Sequence, residues 1–456
     1  MHMQRRRVFR KTEHPFLYLT AMRSYLCAFI ALLFYQAAAA QPKAIRQWAS
    51  QDVLNVKGIS NAHTGICIFD PATGKYWLQH QADKFFMPAS NTKIFTLFTG
   101  LQLLGDSLPG MRYAENDTAV FIQATADPSF LHPDFAYQPV KDFLTATDKR
   151  VWYQPVTIRN KRFGPGWAWS DYADYYQPEL NEWPMYGNVT RINIKGRQYS
   201  ITPAYFARSA SLQFLPERSA DDVLADRDER ENHFILYMRP NDASSHDFEV
   251  PFITGNRDQL LLRLADTLHK PVGLLPAAVA GGRLMKSIPA DTLFQPMMHR
   301  SDNFFAEQIL MMCSAVKWDT IDTRKVIRYM LDSTLKDLPT PPSWVDGSGL
   351  SRYNLFTPAD FVGVLHKMYK TYPKERLYPL FPSGGKGTLR NYYQALPGRL
   401  YAKTGTLSGC VALSGYLITR SGKTLIFSVL VNNHDTTSTV VRRAVEKFLV
   451  RVANGS

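Results

Sequence analysis

Ser90 and Lys93 are the first residues whose types and spacing suggest chemistry. A serine hydroxyl is a poor nucleophile at neutral pH and needs a nearby base to take its proton as it attacks a carbonyl carbon. Three residues along a helix put a lysine amine one turn away on the same face, where it can be that base if desolvation keeps it neutral. The spacing alone is weak, because Ser-x-x-Lys also occurs at Ser314/Lys317, Ser333/Lys336 and Ser383/Lys386. Context separates Ser90. It follows Pro88-Ala89 and leads into Ile94, Leu97, Phe98, Leu101 and Leu104, a helical apolar series with Gly105 as its stop, and backbone N–H groups at the mouth of such a helix can help hold an oxyanion. Two further motifs each occur once and follow in order. Ser301-Asp302-Asn303 opens a helix containing Phe304, Phe305, Ile309 and Leu310, and Lys403-Thr404-Gly405 precedes a strand-like run. Either alone reads as an N-cap or a turn; the ordered trio carries the signal.

The elements around these motifs are legible. Ile45, Trp48, Ala49 and Val53 share a helical face. Ile66 to Phe69 and Tyr76 to Leu78 flank Asp70-Pro71-Ala72-Thr73-Gly74 as a β-hairpin, and Ala412 to Thr419 and Thr424 to Asn432 flank Ser421-Gly422 as another. Val441, Ala444, Val445, Phe448, Leu449 and Val452 predict a final amphipathic helix. Its basic residues Arg442, Arg443, Lys447 and Arg451 are compatible with a membrane surface, although packing of the helix on the sheet is the stronger reading. Helices at both chain ends with hairpins just inside them predict an α/β layer closed by the two ends, with the middle of the chain as an insertion. Ser90 and Ser301 are 211 positions apart, far beyond ordinary loop length.

With 456 residues, 45% of them hydrophobic and 20% charged, the chain is neither disordered nor fibrous. The net charge of +14 invites a nucleic-acid reading. Six of the basic residues lie in the first forty, against a lone Glu13, and are followed by a short apolar run from Leu26 and by Ala37 to Ala40. That is the layout of a secretory signal over residues 1–40, and Met22-Arg23 would also make an adequate signal start. The remainder carries +9 and has no apolar run approaching the roughly twenty residues of a bilayer span. Export argues against a nucleic-acid partner. Cys67, Cys313 and Cys410 read as small buried hydrophobes, with one bridge left open. No dinucleotide, P-loop or HExxH motif is present, so neither cofactor nor metal is expected.

Ordered as Ser-x-x-Lys, SDN and KTG, the motifs are those of penicillin-binding proteins and serine β-lactamases. The sequence resembles the low-molecular-mass (class C) penicillin-binding proteins of the D-alanyl-D-alanine carboxypeptidase/endopeptidase type. Ser301 to Glu307 is similar to that family's SDN-x-x-AE, Asp346 to Leu350 to its DGSGL, Gly384 to Leu389 to its G-x-x-GTL, and Lys403 to Gly409 to its KTGT-x-x-G. Extra domains are inserted between the first two motifs in this family, whereas class A β-lactamases have a much shorter gap. The likeness covers residues 45–110 and 285–435 and is thin between them, where Thr125-Ala126-Asp127-Pro128 stands in place of the family's GGDP.

The resemblance implies an α/β (α+β) serine β-lactamase/transpeptidase-like domain, an antiparallel sheet flanked by helices, built from residues 41–110 and 286–456, with 111–285 forming one or two smaller inserted domains. It also implies roles. Ser90 is acylated by the carbonyl of a penultimate D-Ala while Lys93 accepts its proton; Ser301 relays a proton to the leaving amine; Asn303 holds the peptide backbone. Lys403 with Thr404 supplies positive charge and a hydroxyl for the substrate carboxylate, Gly405 of the same motif belongs to the substrate-binding set, and the backbone N–H groups of Ser90 and Thr406 form an oxyanion hole. The implied partners are peptidoglycan stem peptides, with β-lactam antibiotics as covalent inhibitors, in a periplasmic or wall-associated location. A β-lactamase-like hydrolase and a non-catalytic wall-binding protein on the same fold are the alternatives at this point.

Overall fold

The computed structural model describes residues 43–217, 221–275 and 282–455, and the signal-like segment 1–40 lies outside them. At the centre is a five-stranded, wholly antiparallel sheet in the order Leu400–Leu407, Cys410–Ile418, Thr424–Asn432, His63–Asp70, Lys75–His80. Both expected hairpins form. Asp70 Oδ1 accepts from the N–H groups of Ala72 and Thr73, which fixes the first turn as an Asx type. Strand His63–Asp70 pairs with Thr424–Asn432, from His63 opposite Asn432 to Phe69 opposite Ile426, so the two chain ends close one sheet.

Each face of the sheet is covered. On one lie the N-terminal helix, over 43–49 and continuing as a π turn Ser50–Leu54, and the last helix Ser438–Gly455. Their Ile45, Ala49, Val53, Val441, Phe448 and Leu449 pack on Leu413, Val429 and Val431. Arg451 and Lys447 reach Asp52 across this pair, which accounts for two of the basic residues by packing against the protein itself. On the other face lie the helices Lys93–Leu103, Asn303–Trp318 and Pro358–Thr371. Ile94, Phe95, Ile309, Leu310 and Phe361 form a core with Ile426 and Leu430. Sandwiched between helices, strand Thr424–Asn432 is buried on both faces, so it reads as a continuous apolar run instead of an alternating one.

The rest of the chain enters and leaves through one junction. Strands Ser107–Glu115 and Arg283–Pro289 are antiparallel neighbours in a second five-stranded sheet, with Arg283 opposite Tyr113. The chain therefore leaves the Ser90–Lys93 helix and returns toward Ser301 along neighbouring strands. Two three-stranded sheets between residues 189 and 251 enclose a separate apolar cluster of Ile192, Phe206, Phe234, Leu236, Met238 and Phe252. Ala126, where the family has glycine, sits at φ 66°, a left-handed conformation that costs a residue with a Cβ roughly 1–2 kcal/mol. Its neighbour Asp127 is buried and accepts from Ser129 and Ser287; burial pushes its carboxyl up to about 6.

The motif Lys403-Thr404-Gly405 lies within the edge strand Leu400–Leu407, not ahead of a strand. Full-length pairing with Cys410–Ile418 through a two-residue link at 408–409 holds the motif extended, although Gly405 and, less so, Lys403 are poor strand formers and only Thr404 favours a strand. The three described cysteines are free and buried. Among the described residues no helix is long and apolar enough to cross a membrane.

Candidate active site

Ser90 lies in a single helical turn, Ala89–Thr92, that runs into Lys93–Leu103. Ala89 takes φ 48°, and such left-handed strain persists only where surrounding structure fixes it. The fixing is visible. Thr92 Oγ1 donates to the Ala89 carbonyl at 2.9 Å. Gly349, at φ 84°, packs on that same carbonyl, where a side chain would collide. On the other side Gly405 of the edge strand approaches so closely that a Cβ would stand 2.7 Å from Pro88 O and 3.1 Å from Ser90 N. Asn91 bridges the two elements: its amide donates to the Lys403 carbonyl at 2.7 Å and accepts from Ser414 Oγ at 2.8 Å.

Lys93 is fully buried. Its Nζ donates to Ser90 Oγ at 3.0 Å, Asn303 Oδ1 at 2.6 Å and the Ser348 carbonyl at 2.7 Å, three acceptors for the three donors of an ammonium. Burial brings the amine down to about 8, opposed by the carboxylates of Asp302, Asp346 and Glu307. Across the cleft Lys403, also fully buried, donates to Ser301 Oγ at 2.8 Å and to the Thr404 carbonyl at 2.7 Å. Its amine is held well below the usual lysine range, by burial first and by the charge of Lys93 second. Ser301 adopts φ 64° ahead of the N-cap Asp302, whose carboxylate accepts from Phe305 N at 2.9 Å. Two serine–lysine pairs thus face one cleft of about 400 Å³, lined by Ser90, Ser301, Thr404, Gly405, Thr406 and Arg442 among others.

All eight residues singled out from sequence therefore gather at one place, Lys93 and Lys403 buried behind the wall, Asn303 lining the adjoining cavity and the others at the cleft. Several neighbours carried no assigned part. Glu307 accepts from Ser348 N at 2.7 Å and is pushed up to about 7 by burial and by Asp346. Asp346 is itself raised by burial and accepts from Gly349 N, Ser351 N, Asn354 Nδ2 and Trp167 Nε1, at 2.7–3.0 Å. Both fall in stretches matched to family motifs, which was the available signal. Asn303 Nδ2 donates to the Tyr176 carbonyl at 3.0 Å; a main-chain acceptor leaves no trace in side-chain type. Arg442 donates to Thr406 Oγ1 at 2.7 Å, yet in the sequence it looked like one of four helix cations. Among the described residues no group of three His, Cys, Asp or Glu side chains is arranged to hold a metal ion.

This geometry can withdraw a proton from one hydroxyl, deliver a proton through another, and present a strand edge to an extended peptide between them. Sheet, flanking helices and cleft define the serine β-lactamase/transpeptidase-like fold class. The model of the D-Ala-D-Ala carboxypeptidase 3 (S13) family matches residues 49–199 and 278–454, and the chain belongs to that family. The D-alanyl-D-alanine carboxypeptidase of Actinomadura sp. (strain R39) is 24% identical over 446 residues, spanning 84% of this chain and 80% of that protein. Among solved structures, penicillin binding protein 4 of Haemophilus influenzae shares the fold with a TM-score of 0.69 at 18% identity, over 90% of this chain and 98% of that one. A second structure of that protein, complexed with a β-lactam, aligns over the same shares of both chains at 18% identity with a TM-score of 0.62.

Proposed function

We propose that this protein is an exported serine D-Ala-D-Ala carboxypeptidase that also acts as an endopeptidase on D-Ala to diamino acid cross-links of peptidoglycan, working through an acyl-Ser90 intermediate. The observation that carries the reading is the buried Lys93 amine, brought down to about 8 and 3.0 Å from Ser90 Oγ. Neutral Lys93 takes the hydroxyl proton as Oγ bonds to the carbonyl carbon of the penultimate D-Ala. The resulting oxyanion is met by the N–H groups of Ser90 and Thr406, each such donor being worth about 3–4 kcal/mol in the transition state. Ser301, hydrogen-bonded to Lys403, gives its proton to the leaving nitrogen and is resupplied with the proton that Lys93 took from Ser90, so that Lys93 is neutral again; the C–N bond breaks and the amine departs. Water then attacks the ester, its proton going to Lys93, and Ser90 is released with its hydrogen restored. Asn303 orients the substrate backbone, and the hydroxyls of Thr404 and Thr406 face the substrate's carboxylate. Residues 111–285 form the inserted domains of this enzyme, and residues 1–40 direct its export to the periplasm or wall.

A β-lactam mimics the scissile amide in a strained ring, so the same serine is acylated by penicillin; the β-lactam complex of the Haemophilus influenzae protein supports this. The test is direct. Purified mature protein is incubated with cross-linked and uncross-linked muropeptides, and separately with labelled penicillin, and products are followed by mass. Release of D-Ala and of monomers, with label on Ser90 and none on Ser90→Ala, is expected. Label mapping to another serine, or neither product, refutes the reading.

A further inference from the structure

We infer that Arg442, with Arg390 beside it, supplies the positive charge that binds the free carboxylate next to the scissile amide, and so makes the enzyme select acid over amide substrates. The inference rests on the reading of the cleft as a D-Ala-D-Ala site. Its starting point is the charge inventory of the cleft wall. Beside Ser90, Ser301, Thr404 and Thr406 the cleft is lined by two guanidinium groups, Arg390 and Arg442, and by no carboxylate. Neither makes an ion pair with an acidic side chain among the described residues, whereas the neighbouring cations of the last helix do: Arg443 with Glu446, Lys447 and Arg451 with Asp52.

The lysine of the KTG motif is placed differently. Lys403 is fully buried, and its amine is engaged by Ser301 Oγ and the Thr404 carbonyl. An anion in the open cleft therefore meets arginine first. Arg442 is also oriented for the purpose. Its Nη2 donates to Thr406 Oγ1 at 2.7 Å, and its guanidinium lies 5.9 Å from the Tyr392 ring centre. Because that bond uses Thr406 Oγ1 as acceptor, the hydroxyl hydrogen stays available to an incoming oxygen. Planar guanidinium and hydroxyl together present a forked set of donors, the arrangement that suits a carboxylate and that an ammonium does not reproduce. Arg442 is in this sense a specificity residue, reaching the substrate's anion and not the reacting bond.

The experiment compares kcat/KM for matched peptides ending in D-Ala-D-Ala carboxylate and D-Ala-D-Ala carboxamide, on wild type, Arg442→Ala, Arg442→Lys and Arg390→Ala. Charge-assisted hydrogen bonding predicts a wild-type acid preference of about 10- to 150-fold. Arg442→Ala is expected to cut that ratio by about tenfold or more, with Arg442→Lys intermediate and Arg390→Ala smaller in effect. A merely structural role lowers both substrates together and leaves the ratio at its wild-type value, which overturns the inference. Should Arg442→Ala fail to fold by circular dichroism, Arg442→Lys, which keeps stem and charge but loses the fork, must still lower the ratio; an unchanged ratio there overturns the inference equally. Wild-type protein that turns over neither peptide refutes the enzyme reading itself, and is told apart from the preceding outcomes because no variant is needed to see it.

Discussion

Acylation of Ser90 by a penicillin is expected to climb with pH through a midpoint near pH 8 and to level off about one unit above it. Lys93 can take the serine proton only as the free amine, and burial has brought that amine from 10.5 to about 8. At pH 7 an amine titrating at about 8 is roughly one-tenth free base, against roughly three parts in ten thousand at 10.5, so the site holds about 300-fold more base, or about 3 kcal/mol. The sign follows from the lowered value: the base form accumulates as pH rises through about 8, so at pH 6 the rate falls about a hundredfold below its plateau. Asp302→Asn gives a directional check. Asp302 is the leading carboxylate that pulls the Lys93 amine back up, and asparagine keeps the N-cap bond to Phe305 N. Removing the charge therefore moves the limb toward lower pH. Stopped-flow acylation with a fluorescent penicillin from about pH 6 to about pH 10, with Ser90→Ala as blank, measures both. A flat profile, a limb centred near the ordinary lysine value, or a shift to higher pH in Asp302→Asn would refute the reasoning.

Gly405→Ala is expected to slow penicillin acylation roughly 5- to 150-fold, from about 1–3 kcal/mol of overpacking against Pro88 O and Ser90 N; Gly282→Ala, whose Cβ would make only ordinary contact, 3.4 Å from Tyr113 O, is the control, and equal rates would count against the tight seat of the Ser90 turn. Glu307 keeps its proton up to about 7 in the fold but only to about 4.5 when unfolded, so the folded state loses stability as pH rises between those values, by up to about 3 kcal/mol. Thermal midpoints should then shift in favour of Glu307→Gln over wild type from pH 5 to pH 7, and a constant difference would exclude it. Trp167→Phe removes the 3.0 Å donor to Asp346 and should cost about 1.5–3 kcal/mol in denaturant unfolding; an unchanged midpoint would show that the bond contributes nothing.

The parts of the site that could be read from sequence are those in which side-chain type, order and periodicity coincide. Ser90 and Lys93 sit one helical turn apart on an apolar helix, and Asp302 is an N-cap before Phe304 and Phe305, so local pattern and chemistry agree. The hairpins were legible because Asp70, Gly74 and Gly422 punctuate runs of β-formers. Lys403-Thr404-Gly405 was not legible as strand, since its conformation comes from pairing with residues far along the chain and not from its own propensity. Main-chain groups were invisible for a simpler reason. The carbonyls of Tyr176 and Ser348, which hold Asn303 and Lys93, depend on backbone placement that any side chain could share. Arg442 was misjudged because its three helix neighbours do pair with acids, and only the cleft distinguishes it.

The buried carboxylates make sense as a brake on desolvation. Burial is the largest influence on Lys93, and it acts in one direction, toward a free but ever weaker base. A general base works best with a pKa near ambient pH, where it is both available and strong enough to draw a proton. Asp302, Asp346 and Glu307 push the other way, and each also has a mechanical part: Asp302 caps the helix carrying Asn303, Glu307 holds Ser348 N, and Asp346 gathers the loop from Gly349 to Asn354. The Ser348 carbonyl that this loop presents is one of the three acceptors around the Lys93 amine. Trp167, from the segment between the first two motifs, donates to Asp346, and the Tyr176 carbonyl accepts from Asn303. That segment thus reaches the amine directly through Asn303, and from Trp167 through Asp346, whose charge acts on the amine and whose loop carries the Ser348 carbonyl. A change at Trp167 that loosens Asp346 is therefore expected to move the pH limb of Ser90 acylation, through the position of an acceptor and the charge facing Lys93, and an unchanged limb in Trp167→Phe would refute this link.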